Sequence, residues 1–174
     1  MTIEDRILQG KIQYVKRASL DIVFGFGNII NHTQWEPAGQ DFFTDLQVEI
    51  YLDDQLLLKQ YSDDQVHEFH YDFEDSSTTT ERELRIGCSG FLPKHFPVFE
   101  IVPMLYIQSV HIEGLDMHQT LIDHGQAVYH DDPTQERSAY PRIGHNGYQS
   151  LKFTTPIYAW LLDNERKDAY YCRH

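Results

Sequence analysis

The chain has 174 residues, and its 27 Asp and Glu outnumber its 14 Lys and Arg, which gives a formal net charge of −13 at neutral pH. This length corresponds to about one domain with its own hydrophobic core, so we predict a single domain over residues 1–174. The negative charge repels phosphate backbones and excludes nucleic acid as an expected partner. Aromatic residues make up 13% of the chain, a composition typical of half-buried sheets.

The first half of the chain contains two clear alternating patterns. Residues 2–14 fit a strand or a helix equally, whereas Leu20 to Phe26 alternates apolar and polar side chains as a strand does. Leu46 to Tyr61 predicts a β-hairpin that turns at Asp53-Asp54. The same region, from Asp41 to Asp75, is rich in acidic residues. Such acidity favours solubility, and the alternative interpretations are a divalent cation site or a surface that binds a basic partner protein.

The second half adds further short strands and ends in a helix. Alternation or short apolar runs predict strands at His67 to Phe73, Leu84 to Cys88, Leu105 to Glu113, Leu121-Ile122, Ala127 to Tyr129 and Gln149 to Thr154. Thr155-Pro156 is a helix-start signal, and the apolar spacing after it predicts a short helix from Pro156 to Asn164 with Trp160 packed on the sheets. The sequence therefore predicts an all-β, antiparallel β-sandwich of the jelly-roll kind with a short C-terminal helix.

Sequence features also bear on the compartment of the protein. Residues 1–16 lack the apolar core of a signal peptide, and no segment reaches the roughly 18 to 20 apolar residues that span a bilayer. We therefore expect a protein that is neither exported by a signal peptide nor bound to a membrane. Cys88 and Cys172 do not have the spacing of a zinc or redox motif, and a disulfide between them stays open.

The familiar catalytic motifs are absent from the sequence. It contains no GxxxxGK[ST] loop, no GxSxG nucleophile elbow and no HExxH helix. We therefore predict a protein that is not an enzyme. A hydrolase of unrecognised type, using carboxylates such as Asp131 and Asp132, is kept as a second alternative.

Ten histidines raise the question of a metal site. His67 and His70 are three residues apart on a predicted strand and therefore lie on opposite faces. Asp116 and His118 are predicted to share a strand face. The best candidates for metal ligands are His130, Asp131 and Asp132, which lie close together in a loop-rich stretch, and calcium is the candidate cofactor.

Three aromatic residues are candidates for ligand binding. Trp35, Tyr140 and Tyr148 lie among polar, Gly and Pro residues, where we expect loops that present rings to solvent. Such rings can stack on sugars, and the same residue types are enriched in protein interfaces. The alternative interpretation is that Trp35 covers the edge of the sandwich and Tyr140 stiffens a turn beside Pro141.

The second half of the chain resembles a known family. The segments Glu83 to Gly90, Pro93 to His95, His111 to Asp116, Asn146-Gly147 and Leu151 to Leu162 are similar to segments of small β-sandwich proteins of tailed phages of aquatic bacteria. The resemblance covers about residues 83 to 164. That family is similar in layout to calcium-dependent carbohydrate-binding jelly-roll modules.

The resemblance implies a non-enzymatic role. Our main expectation is a phage structural or virion-assembly protein, a decoration, neck or tail component, that acts through interfaces with other virion proteins or with itself as a homo-oligomer. It would then be found in the virion or in the cytoplasm of the infected host. The alternative is a calcium-assisted carbohydrate-binding module with a glycan as its partner.

Overall fold

The computed structural model describes residues 15–30, 34–37, 46–76, 80–90, 101–130 and 142–171. The strands are β1 (Val15–Ile30), β2 (Gln34–Pro37), β3 (Gln47–Leu52), β4 (Gln55–Tyr61), β5 (Val66–Ser76), β6 (Thr80–Ser89), β7 (Ile101–Ile112), β8 (Leu115–Asp116), β9 (Gln126–Tyr129), β10 (Arg142–Ile143) and β11 (Gly147–Thr155). The helices are α1 (His118–His124) and α2 (Ile157–Tyr171). Residues 2–14, for which the sequence fits strand or helix, lie outside the described residues.

The strands form two antiparallel sheets. Among the described residues, the first sheet has six strands in the order β10-β7-β1-β2, with β5 also paired to β1 and β8 to β7. The described strands of the second sheet number five, in the order β4-β3-β6-β11-β9. Every pairing in both sheets is antiparallel. This arrangement confirms the predicted all-β, antiparallel sandwich, whereas the prediction of one domain over residues 1–174 stays a prediction.

The core lies between the two sheets, because alternate side chains of each sheet join one buried cluster. Ile22 and Phe24 of β1 belong to the same cluster as Ile50 of β3 and Ile86 of β6, and all four are at most 1% exposed. Full burial of a side chain of this size contributes about 1.5 to 3 kcal/mol to folding. The core therefore fixes which face of the second sheet is left for solvent and ligands.

The turn between β3 and β4 is where the sequence predicts it. Asp53 adopts a positive φ of 56°, which Asp tolerates better than most residues. Its carboxylate accepts hydrogen bonds from the side chain of Arg82, at 2.6 Å, and from the backbone N–H of Glu83, at 3.0 Å. The turn is thereby bonded to the neighbouring strand β6.

Two predictions around α1 are wrong. Leu121-Ile122 is part of helix α1 and not a strand. Leu121 and Met117 are both buried and lie four residues apart, which is a helical spacing that an isolated apolar pair does not reveal. Asp116 and His118 do not share a strand face, because Asp116 ends β8 and its carboxylate accepts the backbone N–H of His118, at 2.8 Å.

The predicted C-terminal helix is confirmed and is longer than expected. Helix α2 spans Ile157–Tyr171, and the carbonyl of Pro156 accepts the N–H of Trp160 at its start, at 3.4 Å. The peptide bond before Pro156 is cis. Trp160 and Leu161 pack against the core as expected. Over the part of the chain that the structure describes, neither helix combines the length and apolar character needed to cross a bilayer.

Candidate functional site

The face of the second sheet that points away from the core, here called the outer face, carries a concentrated set of polar and aromatic side chains. Strand alternation places Val48, Ile50 and Leu52 in the core, so Glu49 and Tyr51 lie on the outer face of β3. By the same alternation, Arg85 and Gly87 of β6 and Tyr148, Ser150 and Lys152 of β11 lie on that face. Because the core takes every second side chain of these strands, the side chains between them form the outer face.

The strand registers bring these residues into rows across the sheet. In one row Glu49 lies opposite Gly87, which lies opposite Tyr148. In the next row Tyr51 lies opposite Arg85, which lies opposite Ser150. Residues directly opposite each other have Cβ atoms only about 4.5 to 5.5 Å apart. Two tyrosines, a carboxylate and a guanidinium therefore surround a residue that has no side chain.

Gly87 forms the floor of a cleft of about 180 Å³, here called the Gly87 cleft. Its walls are formed by Glu49 and Tyr51 from β3, Arg85 from β6, Tyr148 from β11 and His130 after β9. Drug-sized ligands occupy pockets of about 300 to 1,000 Å³, so the Gly87 cleft suits a single ring-sized group. A larger side chain at position 87 would fill this space.

Arg85 lies between the two tyrosine rings of the cleft. Its Cζ atom is 5.1 Å from the ring centroid of Tyr51 and 5.9 Å from that of Tyr148. Its Nη2 atom donates to the backbone carbonyl of Asp53, at 2.8 Å, and to the carboxylate of Asp54, at 3.0 Å. A guanidinium has five N–H donors. The Nε atom of Arg85 is buried and has no hydrogen-bond partner among the described residues. Arg85 therefore has donors left to bind a ligand beside the rings.

Glu49 supplies a fixed negative charge at the opposite wall. Its carboxylate is 2.7 Å from Nζ of Lys59 and accepts the hydroxyl of Tyr51 at 3.0 Å. The hydrogen bond from Lys59 lowers the pKa of Glu49 against the opposing effect of burial, and the bond from Tyr51 lowers it further. The same bond raises the pKa of Tyr51. At neutral pH the cleft therefore presents a carboxylate acceptor and a neutral tyrosine hydroxyl.

His130 closes the cleft beside Tyr148. The two rings have centroids 6.4 Å apart and are tilted by 59°. The backbone N–H of His130 donates to the carbonyl of Asn146, at 2.9 Å, which holds the end of β9 against the start of β11. The cleft thus combines three ring side chains with a carboxylate and a guanidinium, and this set can bind a ring that is apolar on its faces and hydroxylated at its edge.

The predicted ligand-binding aromatics do not come together. Tyr148 lines the Gly87 cleft from β11, and it lies on a strand instead of the expected loop. Trp35 also lies on a strand, β2, opposite Ile29 in the first sheet, so the loop prediction is wrong for it as well. Because Trp35 and Tyr148 belong to different sheets, they do not form one row. Tyr140 lies outside the described residues.

The predicted metal ligands are only partly visible. His130 lines the cleft, whereas Asp131 and Asp132 lie outside the described residues. Within the described ranges, no group of three or more His, Cys, Asp or Glu side chains is arranged to hold a metal ion. His67 and His70 do lie on opposite faces of β5, as predicted: His67 stacks on Phe24, whereas His70 contacts Asp21 on the solvent side. The calcium site at residues 130–132 stays a prediction.

Sequence reasoning missed most of the cleft. Glu49 and Tyr51 fall within the predicted hairpin, and Arg85 and Gly87 within the predicted strand Leu84 to Cys88, but no sequence motif marks any of them as a site residue. The available signal was a charged and aromatic pair on one strand and an arginine followed by a glycine on another. What the sequence lacks is the register that places Tyr51 opposite Arg85.

Comparisons with known proteins find two similar solved structures. No protein-family model matches the chain, and no curated protein matches it. The chain is similar to a solved structure described as vCBM60 in complex with galactobiose, with a TM-score of 0.45, 8% identity, and coverage of 76% of this chain and 96% of that chain. It is also similar to a selenomethionine form of vCBM60 from work linking two families of calcium-dependent carbohydrate binding modules, with a TM-score of 0.44, 8% identity, and coverage of 77% and 89%.

Proposed function

We propose that this chain is a non-catalytic carbohydrate-binding protein and that the Gly87 cleft holds one sugar ring. The observation that carries the proposal is the pair of rings, Tyr51 and Tyr148, on either side of Arg85 beside a glycine floor. A pyranose has apolar C–H faces that pack on aromatic rings and hydroxyl groups that need both donors and acceptors. Arg85 donates, Glu49 accepts, and the tyrosines supply the ring faces.

The charges of the cleft favour a neutral sugar over an anionic one. Glu49 is ionised at neutral pH, and Asp54 already occupies part of the Arg85 guanidinium. An anionic ligand would meet these carboxylates and the net charge of −13 of the whole chain. A neutral hydroxylated ring avoids this repulsion and still uses the hydrogen-bonding groups.

The experiment is a binding screen with a matched aromatic control. Neutral galacto-, gluco-, manno- and xylo-oligosaccharides are titrated into the protein by calorimetry, followed by the variants Tyr148→Ala and Tyr158→Ala. Tyr158 is 56% exposed on α2 and lies outside the cleft. We expect at least one sugar to bind, Tyr148→Ala to weaken it at least tenfold, and Tyr158→Ala to leave it unchanged. No binding across the panel, or equal effects of both variants, would overturn the proposal.

The calcium prediction is tested in the same experiment. If calcium assists at His130, Asp131 and Asp132, EDTA should remove sugar binding and added calcium should restore it. A ligand at a hundredfold excess over its Kd stabilises the folded state by about 2.7 kcal/mol, so a thermal melt reports the effect. Unchanged binding in EDTA would leave a metal-free site in the Gly87 cleft.

A role in virion assembly is the second candidate. One observation favours a protein interface: β4 is an edge strand of the second sheet, and it exposes Leu56 and Tyr61, at 46% and 61%. Edge strands present unpaired backbone groups to other chains. Light scattering of the purified protein and a search for it in purified particles test this candidate. A monomer that is absent from particles would reject it.

A further inference from the structure

A second depression lies on the same outer face as the Gly87 cleft. It also has a volume of about 180 Å³, and it is lined by His124, Gln126, Ser150 and Lys152, here called the Ser150 depression. Three of these residues lie on neighbouring strands of the second sheet: Gln126 on β9, and Ser150 and Lys152 on β11. The fourth, His124, ends helix α1.

The strand register makes the two depressions neighbours. Ser150 lies directly opposite Arg85, a wall of the Gly87 cleft, on one side and opposite Gln126 on the other. Tyr148, Ser150 and Lys152 point to the same side of β11, and at about 3.4 Å per residue the distance from Tyr148 to Lys152 is about 14 Å. A single sugar ring in the Gly87 cleft cannot also contact Lys152.

The Ser150 depression has the chemistry of a binding subsite. It offers a hydroxyl, an amide and an ammonium group, and among the described residues Lys152 forms no ion pair. Its cross-strand neighbour is Glu83, so the local charge is close to balanced. The ring of His124 meets the ring of Trp160 edge-on, with centroids 5.9 Å apart, which holds one wall in place. These groups suit hydroxyl groups of a second neutral sugar.

We infer that the ligand is a linked oligosaccharide that occupies both depressions, with one unit in the Gly87 cleft and a later unit in the Ser150 depression. This inference rests on the proposed function and adds the ligand's minimum length to it. The oligosaccharide passes over the Arg85–Ser150 pair, where the two depressions adjoin. Affinity therefore depends on the number of linked units and not only on the kind of sugar.

The test measures affinity against chain length. The probes are galacto-, gluco-, manno- and xylo-oligosaccharides of one to five units, titrated into the wild-type protein and into the double variant Gln126→Ala/Lys152→Ala. The matched control is Arg17→Ala/Gln108→Ala, which removes one charge and one amide from exposed positions of the first sheet. We expect affinity to rise at least tenfold between the shortest binding sugar and the four-unit chain. The double variant should lose this gain and keep the affinity for the short sugar.

The outcomes separate the inference from the proposed function. If short sugars bind, need Tyr148, and gain nothing with length, or if the double variant keeps the gain, the extended site is wrong and the proposed function stands. If no sugar of any length binds, both are wrong. A gain that the control variant also loses would assign the effect to general charge and overturn the inference.

Discussion

The guanidinium of Arg85 lies over the ring of Tyr51, with its Cζ atom 5.1 Å from the ring centroid. The contact joins β3 to β6 on the outer face. In the next row of the same two strands, Ile50 and Ile86 lie opposite each other on the buried core face. Arg85 is in turn fixed by the carbonyl of Asp53 in the β3–β4 turn. The β3–β4 turn therefore holds Arg85, and with it one wall of the Gly87 cleft, in position.

Replacing Arg85 tests whether this contact shapes the site. Lysine keeps the charge but lacks the planar fork that stacks on a ring and bonds two acceptors. We expect Arg85→Lys to weaken sugar binding by about 1.5 to 3 kcal/mol, the contribution of one hydrogen bond from a charged group to the ligand. Calorimetry with the best sugar of the panel measures the loss. An affinity equal to the wild type would show that Arg85 is only structural.

Glu49 gives the site a defined pH dependence. Its pKa is held below the ordinary 4.5, chiefly by Lys59, so the carboxylate is charged from neutral pH down to that value. A depressed folded-state pKa contributes stability above the unfolded pKa, and this contribution is lost as pH falls through the folded pKa. We therefore expect the contribution of Glu49 to sugar binding and to stability to be constant from pH 8 to about 5 and to decline only below about pH 4.5.

The variant Glu49→Gln isolates this effect from other titrating groups. It should bind sugar weakly at every pH and should not show the additional decline in acid. Glu68→Gln, at an exposed position of β5 in the first sheet, is the control and should follow the wild type. A wild-type profile that falls between pH 7 and 6 in parallel with Glu49→Gln would assign the acid sensitivity to another group.

Two glycines near the cleft should respond differently to alanine. A Cβ atom at Gly147 would overlap the carbonyl oxygen of Val128 and crowd the ring of His145, and overpacking of this kind costs about 1 to 3 kcal/mol. A Cβ atom at Gly87 would meet the carbonyl oxygen of Gly147 at 3.3 Å and Tyr148 Cβ at 3.5 Å, which needs only a small shift.

We therefore expect Gly147→Ala to lower the free energy of unfolding by about 1 to 3 kcal/mol in urea denaturation. Gly87→Ala should change stability by less than about 1 kcal/mol, because reduced freedom of the unfolded chain offsets the crowding. It should nevertheless weaken sugar binding, since the new methyl group occupies the floor of the cleft. Full binding by Gly87→Ala would place the ligand elsewhere.

Cys88 should be chemically silent in the folded protein. It is 2% exposed on the core side of β6, and burial raises the pKa of its thiol well above the usual range. The thiolate is the reactive form, so a buried, protonated thiol resists thiol reagents. In the variant Cys172→Ser, which leaves Cys88 alone, we expect no reaction with an aromatic disulfide reagent until denaturant is added. Rapid reaction of the native variant would contradict the packing of β6.

The sequence predicts the parts of this fold that are decided locally. The alternation from Val48 to Leu52 and the turn at Asp53 depend on nearest neighbours, and both are confirmed. Helix α1 was missed because its apolar pair, Leu121-Ile122, is too short to reveal a period, and the tertiary position of Met117 completes the helical face.

The candidate site is less accessible to sequence reasoning for a physical reason. Its residues come from β3, β6, β9 and β11, and only long-range strand pairing brings Glu49, Gly87 and Tyr148 into one row. A shift of one residue in that pairing would move every side chain to the other face. Tyr148 was predicted as a ligand contact and lines the cleft, but its partners are set by register and not by nearby sequence.

The most direct test of the account is an amide NMR titration of the labelled protein with the tightest neutral oligosaccharide of the panel. We expect the largest chemical-shift changes at the amides of Gly87 and Tyr148, with smaller changes at Gln126 and Ser150. The first sheet, from Leu20 to Phe26 and from Phe69 to Phe73, should be unaffected. Changes confined to the first sheet, with Gly87 and Tyr148 unmoved at saturation, would contradict the claim that the outer face of the second sheet binds the ligand.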